Sequence, residues 1–171
     1  MHSMSWMVRG AALGALLVSS TPALSQESAK AQTELAGALR AKHVALTTGI
    51  TAATAKGTPI SAKYEYEGGK LQLSVYTEKA GQFSEVIVNH HTGKVTKTEK
   101  IAEGDDYKAA QAQSGAAAKA KTSLASAVTK ALKANAGYSA VGATATLKNG
   151  QPTAEITLIK GSEFKTVTET R

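Results

Sequence analysis

The chain contains no cysteine, which removes disulfide cross-links, thiolate nucleophiles and cysteine-based zinc sites from consideration. Methionine and tryptophan are confined to Met1, Met4, Trp6 and Met7. Any core further along must therefore be built from Leu, Ile, Val, Ala, two Phe and five Tyr. Proline is scarce, and none falls between Pro59 and Pro152, so helices and strands can run there without a break. Past residue 18 no apolar run approaches the ~20 residues that a membrane helix needs. His-Glu-x-x-His, Gly-x-Ser-x-Gly and a glycine-rich phosphate loop are all missing, so zinc-peptidase, esterase-type and phosphate-loop chemistry have no motif here. Acidic residues are in the minority, 13 against 20 basic, for a net charge of +7. The lysines alternate with Thr, Glu and Ala instead of clustering. That spread favours solubility and weak attraction to anionic surfaces over a nucleic-acid footprint.

What is present begins with a compartment signal. Residues 1–9 are weakly basic and residues 10–18 are a short run of Gly, Ala, Leu and Val. Ser19, Ser20, Thr21 and Pro22 end that run, and Ala23-Leu24-Ser25 places small residues where a signal peptidase requires them. A signal peptide over 1–25 is expected, with cleavage between Ser25 and Gln26. The product would be a soluble periplasmic or secreted protein, still strongly basic because only Arg9 is lost.

An internal correspondence organises the remainder. At a shift of 81 residues, Gly68-Gly69-Lys70 falls on Asn149-Gly150-Gln151, and Ile60, Ala62, Tyr64 and Tyr66 fall on Val141, Ala143, Ala145 and Leu147. Phe83 and Val86 fall on Phe164 and Val167. Upstream, Leu46, Ile50 and Ala53 match Leu124, Val128 and Ala131, each set spaced as one apolar helix face. Alternating apolar residues then predict three strands per copy with one buried face, joined by hairpins at Gly68-Gly69 and Asn149-Gly150. The expected fold is α+β: two repeated units, each a helix packed on a three-stranded antiparallel meander. The units cover 44–102 and 122–171, follow an N-terminal helix at 26–43, and are joined by an Ala-rich helical connector at 103–121, with Asp105 or Asp106 as its N-cap. Neither unit is large enough to bury much surface alone, so the second, poorer in large apolar residues, is expected to depend on the first. Its last run, 164–170, is polar enough to be a sheet edge.

The first of these copies, with Ile60-Ser61-Ala62-Lys63-Tyr64-Glu65-Tyr66, Gly68-Gly69-Lys70 and the closing Asn89-His90-His91-Thr92-Gly93-Lys94-Val95, resembles a PepSY domain. Asn89 stands where that family usually has Asp, which keeps a turn-forming amide and loses the charge. The resemblance covers roughly 44–98 well and 122–171 weakly. It implies a PepSY/cystatin-like unit and a role like that of noncatalytic modules found in propeptides of secreted metallopeptidases and in bacterial envelope proteins. The turn motif, Asn89, Thr92, Gly93, Lys94 and Val95, is the candidate site, structural first.

Residues with chemistry of their own are few. His43, His90 and His91 have no metal-site spacing, and the adjacent pair is expected to sit in a turn with the rings pointing apart. Tyr64 and Tyr66 are expected in the core and Tyr76 at the surface. No catalytic residue, cofactor or metal is expected. The expected function is noncatalytic binding of another envelope protein, with a secreted peptidase favoured. A basic protein for anionic polymers or lipid headgroups is the first alternative, and a hydrolase the least supported.

Overall fold

The computed structural model describes residues 22–171, with side chains from residue 28 onward. Residues 1–21 of the expected leader, 1–25, lie outside the described residues, and the Ser25–Gln26 bond falls in the opening turns of the first helix. That helix, α1, spans Pro22–Ala38. After it come α2 (Leu46–Ala53), β1 (Thr58–Glu67), β2 (Lys70–Lys79), β3 (Gln82–Val88) and β4 (Val95–Ile101). Then follow α3 (Gly104–Lys119), α4 (Leu124–Ala134), β5 (Ser139–Lys148), β6 (Gln151–Lys160) and β7 (Glu163–Thr170).

The two expected meanders are one sheet. All seven strands join in the order β4-β3-β2-β1-β5-β6-β7, every neighbouring pair antiparallel, and the expected pair of helix-plus-three-strand units is thereby replaced. The join is short: Ser61, Ala62 and Lys63 of β1 face Thr144, Ala143 and Gly142 of β5. Small residues at its centre let the two strands and the helices above them approach closely. The halves also differ in strand number, because residues 95–101 form a fourth strand on the first half that the sequence pattern does not show. Five of its seven residues, those between Val95 and Ile101, are exposed, so no apolar alternation marks it.

Over one face, α1, α2 and α4 share a single core with the sheet. Leu46, Ile50 and Ala53 of α2 and Leu124, Val128 and Ala131 of α4 meet Ala62, Tyr64, Leu73, Val75, Ala143, Ala154, Ile156 and Leu158. Contact is tight enough that a Cβ on Gly49 would come within 2.5 Å of Leu73 Cδ2. Ser123 caps α4, accepting the Ser126 N–H at 3.1 Å.

α3 is not a connector between units. It lies across the opposite face of the same sheet, where Tyr107, Ala110 and Ala117 cover Ile60, Tyr76 and Phe83. Two expectations change with it. Tyr76 is buried, not exposed, because α3 covers it. Ile60 leaves the face of Ala62 and Tyr64, because a β-bulge between Pro59 and Ser61 inserts one residue and breaks the period of two. A bulge at Ala140/Gly142 sits 81 residues later, so the internal correspondence holds in that local detail without dividing the chain into separate units. The N-cap of α3 is Glu103, with Asp105 and Asp106 inside its first turn, where their charge suits the positive end of the helix dipole.

Because the core is common to both halves, residues 122–171 expressed alone would expose the β1 side of β5 and lose the floor beneath α4. We expect that fragment to be unfolded by far-ultraviolet circular dichroism. A cooperative thermal transition in it would contradict a shared core.

Candidate functional site

The motif turn closes between β3 and β4, at the end of the sheet that carries the N-terminus of α2. Asn89 organises it: its side-chain oxygen accepts the N–H groups of His91 and Thr92, each at 2.9 Å, and its carbonyl accepts the Gly93 N–H at 2.8 Å. The Asn89 N–H in turn donates to the Lys94 carbonyl at 2.8 Å, which starts β4. Gly93 adopts φ +72°, and a Cβ there would lie 2.8 Å from Thr48 Cγ2 on α2. Both features require glycine. Thr92 and Lys94 remain exposed, and Val95 is half-buried against the core. The candidate residues are thus brought together, with Asn89 and Gly93 holding the turn and Thr92 and Lys94 exposed.

Next to this turn lies the segment between α1 and α2. The Val44 N–H donates to the His90 carbonyl at 2.7 Å, and the Tyr64 hydroxyl donates to the Val44 carbonyl at 2.6 Å. Burial pushes the Tyr64 phenol up to about 12, so it stays a donor throughout the physiological range. His43 packs edge-on against the Tyr64 ring at 5.4 Å. The His90 and His91 rings do not point apart: their centroids are 4.1 Å from each other with a 48° tilt. Bonds from the 40–44 segment to His90 and His91 hold the turn in a shape that sequence adjacency alone does not specify. Desolvation, then the charges of His91 and His43, lower the pKa of His90 below the ordinary histidine value.

A second polar cluster sits on the α3 face. Tyr76 lies directly across from Glu85 in the β2–β3 register, its hydroxyl 3.5 Å from Glu85 Oε1, and both side chains are buried. Burial, followed by the charges of Glu85, Glu65 and Asp106, pushes the Tyr76 phenol far above its usual range. Burial likewise raises Glu85, opposed by a hydrogen bond from Ser74 and by Lys63, and reinforced by Glu65 and Glu99. Lys63 is itself held by Glu65 at 2.6 Å. Sequence reasoning passed over Glu85, because a Glu in an otherwise apolar strand is the same letter whether a helix covers it or not.

Among the described residues no group of three or more His, Asp or Glu is disposed to hold a metal ion. None of their helices is long and apolar enough to cross a membrane. Comparison with family models, with curated proteins and with solved structures finds no match.

Two outcomes test this geometry. Gly93→Ala should destabilise the protein by about 2 kcal/mol, since a left-handed alanine costs roughly 1–2 kcal/mol and the methyl also meets Thr48. Urea unfolding of the variant measures it. For Glu85, the raised pKa means the folded state binds the proton more tightly. Its contribution to stability is present below the ordinary carboxylate range and lost as pH rises through the folded pKa. Glu85→Gln keeps the acceptor for Ser74 and Tyr76 without the charge, so at neutral pH it should raise the Tm by a few degrees, and the gain should vanish in acid.

Proposed function

We propose that this protein is a noncatalytic binding protein of the bacterial envelope whose partner is another protein, a secreted peptidase being the favoured target. The observation that carries the reading is the turn at 89–95. Its inner atoms are satisfied by one another and by the Val44 N–H, while Thr92 and Lys94 face outward at the start of β4. Among the described residues β4 is an edge strand, so one row of its backbone N–H and C=O groups is open to an extended segment of a partner. A rigid turn beside an unpaired edge suits docking of a polypeptide. The family resemblance of this turn and the export signal at 1–25 support the partner class and the compartment.

The test is a pull-down from a periplasmic extract with the chain from Gln26 onward, tagged at its N-terminal end because Arg171 packs against the Thr122 carbonyl. A protein partner should survive a high-salt wash, and a captured peptidase should lose activity when bait is added back. Recovery of anionic glycans or lipids alone, eluted by salt, would replace this reading with the charge-based one.

A further inference from the structure

The end of the molecule built by residues 40–44 and 89–94 carries an unusual charge inventory. Arg40, Lys42 and Lys94 are exposed there, joined by His43, His90 and His91, and neither segment contains a carboxylate. The two segments are fastened together by the bond from Val44 to His90 and by His91 Nδ1, which lies 3.0 Å from the Lys42 carbonyl. His43 Nδ1 lies 2.9 Å from the Ala41 carbonyl. A carbonyl oxygen can only accept, so in both rings Nδ1 carries the hydrogen and Nε2 holds the lone pair. A further proton therefore enters at Nε2 and leaves both anchoring bonds intact. Charge can be added to this surface without unfastening it.

We propose that this end of the protein is a docking surface for an acidic segment of a protein partner, and that its affinity rises as the medium becomes acidic. The proposal deepens the binding role above by naming the chemistry of the partner's contact. The surrounding charges do not cancel the patch. α2 has no charged residue, and Glu34 of α1 lies 3.8 Å from Lys30. Glu65 and Glu67 of β1 alternate with Tyr64 onto the opposite face of the sheet, where Glu65 holds Lys63 and Glu67 faces Lys70 in the register. On β4, Glu99 is bound to Lys97 at 2.7 Å. Desolvation, then the charges of His91 and His43, act on His90 and lower its pKa. A polypeptide fits better than a lipid headgroup, because the unpaired edge of β4 begins at Val95 beside the patch and offers it main-chain hydrogen bonds.

The experiment measures binding of a fluorescent oligo-aspartate peptide to the protein expressed from its full sequence, by anisotropy at low ionic strength. Its carboxylates stay ionised at about pH 5.5, so a change between about pH 7.5 and about pH 5.5 reports the protein. We expect about tenfold tighter binding at the lower pH, weakened by added salt. His43→Gln with His91→Gln should abolish most of that change, with folding verified by circular dichroism. His91→Lys should tighten binding at neutral pH and flatten the response, and Lys94→Glu should weaken binding at both pH values. Equal affinity at the two pH values, or an undiminished response in the double variant, would overturn the proposal. So would binding to phosphatidylglycerol vesicles with that pH response and none to the peptide. If the peptide fails while the pull-down still captures a protein, the binding role stands and only this surface assignment falls.

Discussion

Three residue pairs between β1 and β5 are the constraint on which the rest of the structure depends. Ser61, Ala62 and Lys63 against Thr144, Ala143 and Gly142 turn two short meanders into one seven-stranded sheet, and one sheet can support one core. Alanine at the centre of that junction matters because α2 and α4 both pack above it. Neither half has a disulfide to stiffen it, and a unit near fifty residues buries too little surface to be stable alone. Sharing Leu73, Val75, Ile156 and Leu158 under a common set of helices offsets that deficit.

The second face follows from how the chain gets from one half to the other. After β4 it must travel to α4, and α3 makes the crossing flat against the sheet, not through solvent. Its small residues suit this path, since Ala110 and Ala117 let the backbone approach while Tyr107 stacks edge-on with Phe83 at 5.4 Å. Burial of Tyr76 and Glu85 is a consequence of that crossing. Their shifted protonation equilibria follow from a helix laid over a strand pair.

The motif turn and the histidines show a different division of labour. Asn89 and Gly93 spend their hydrogen-bonding and conformational freedom on shape, and His43 and His91 spend one ring nitrogen each on backbone carbonyls. What remains exposed is Thr92, Lys94, Lys42 and Arg40. The fold therefore presents positive charge on a fixed frame. The turn was legible through the family resemblance, with Asn89 and Gly93 suited to it by a backbone-bonding amide and a left-handed conformation. The histidine cluster was not, because His43 lies 47 residues from His90 and reaches it through the bonds from Val44 to His90 and from His91 to the Lys42 carbonyl.

The sequence by itself determined the local elements: apolar spacing at Leu46, Ile50 and Ala53 makes a helix, and alternation at Leu71, Leu73 and Val75 makes a strand. Gly68-Gly69 and Asn149-Gly150 make hairpins, with Asn149 at φ 52° as that turn requires. These signals act over a few residues, where backbone sterics and side-chain periodicity are decisive. Only the tertiary structure decided that the two sheets are one, that residues 95–101 add a polar edge strand, that a bulge moves Ile60 to the other face, and that α3 covers Tyr76 and Glu85. Each of those depends on which surfaces meet across long separations. Polar strands, small residues and bulges leave no periodic trace of their partners, so their placement is settled by packing and backbone pairing between parts of the chain that the local pattern does not connect.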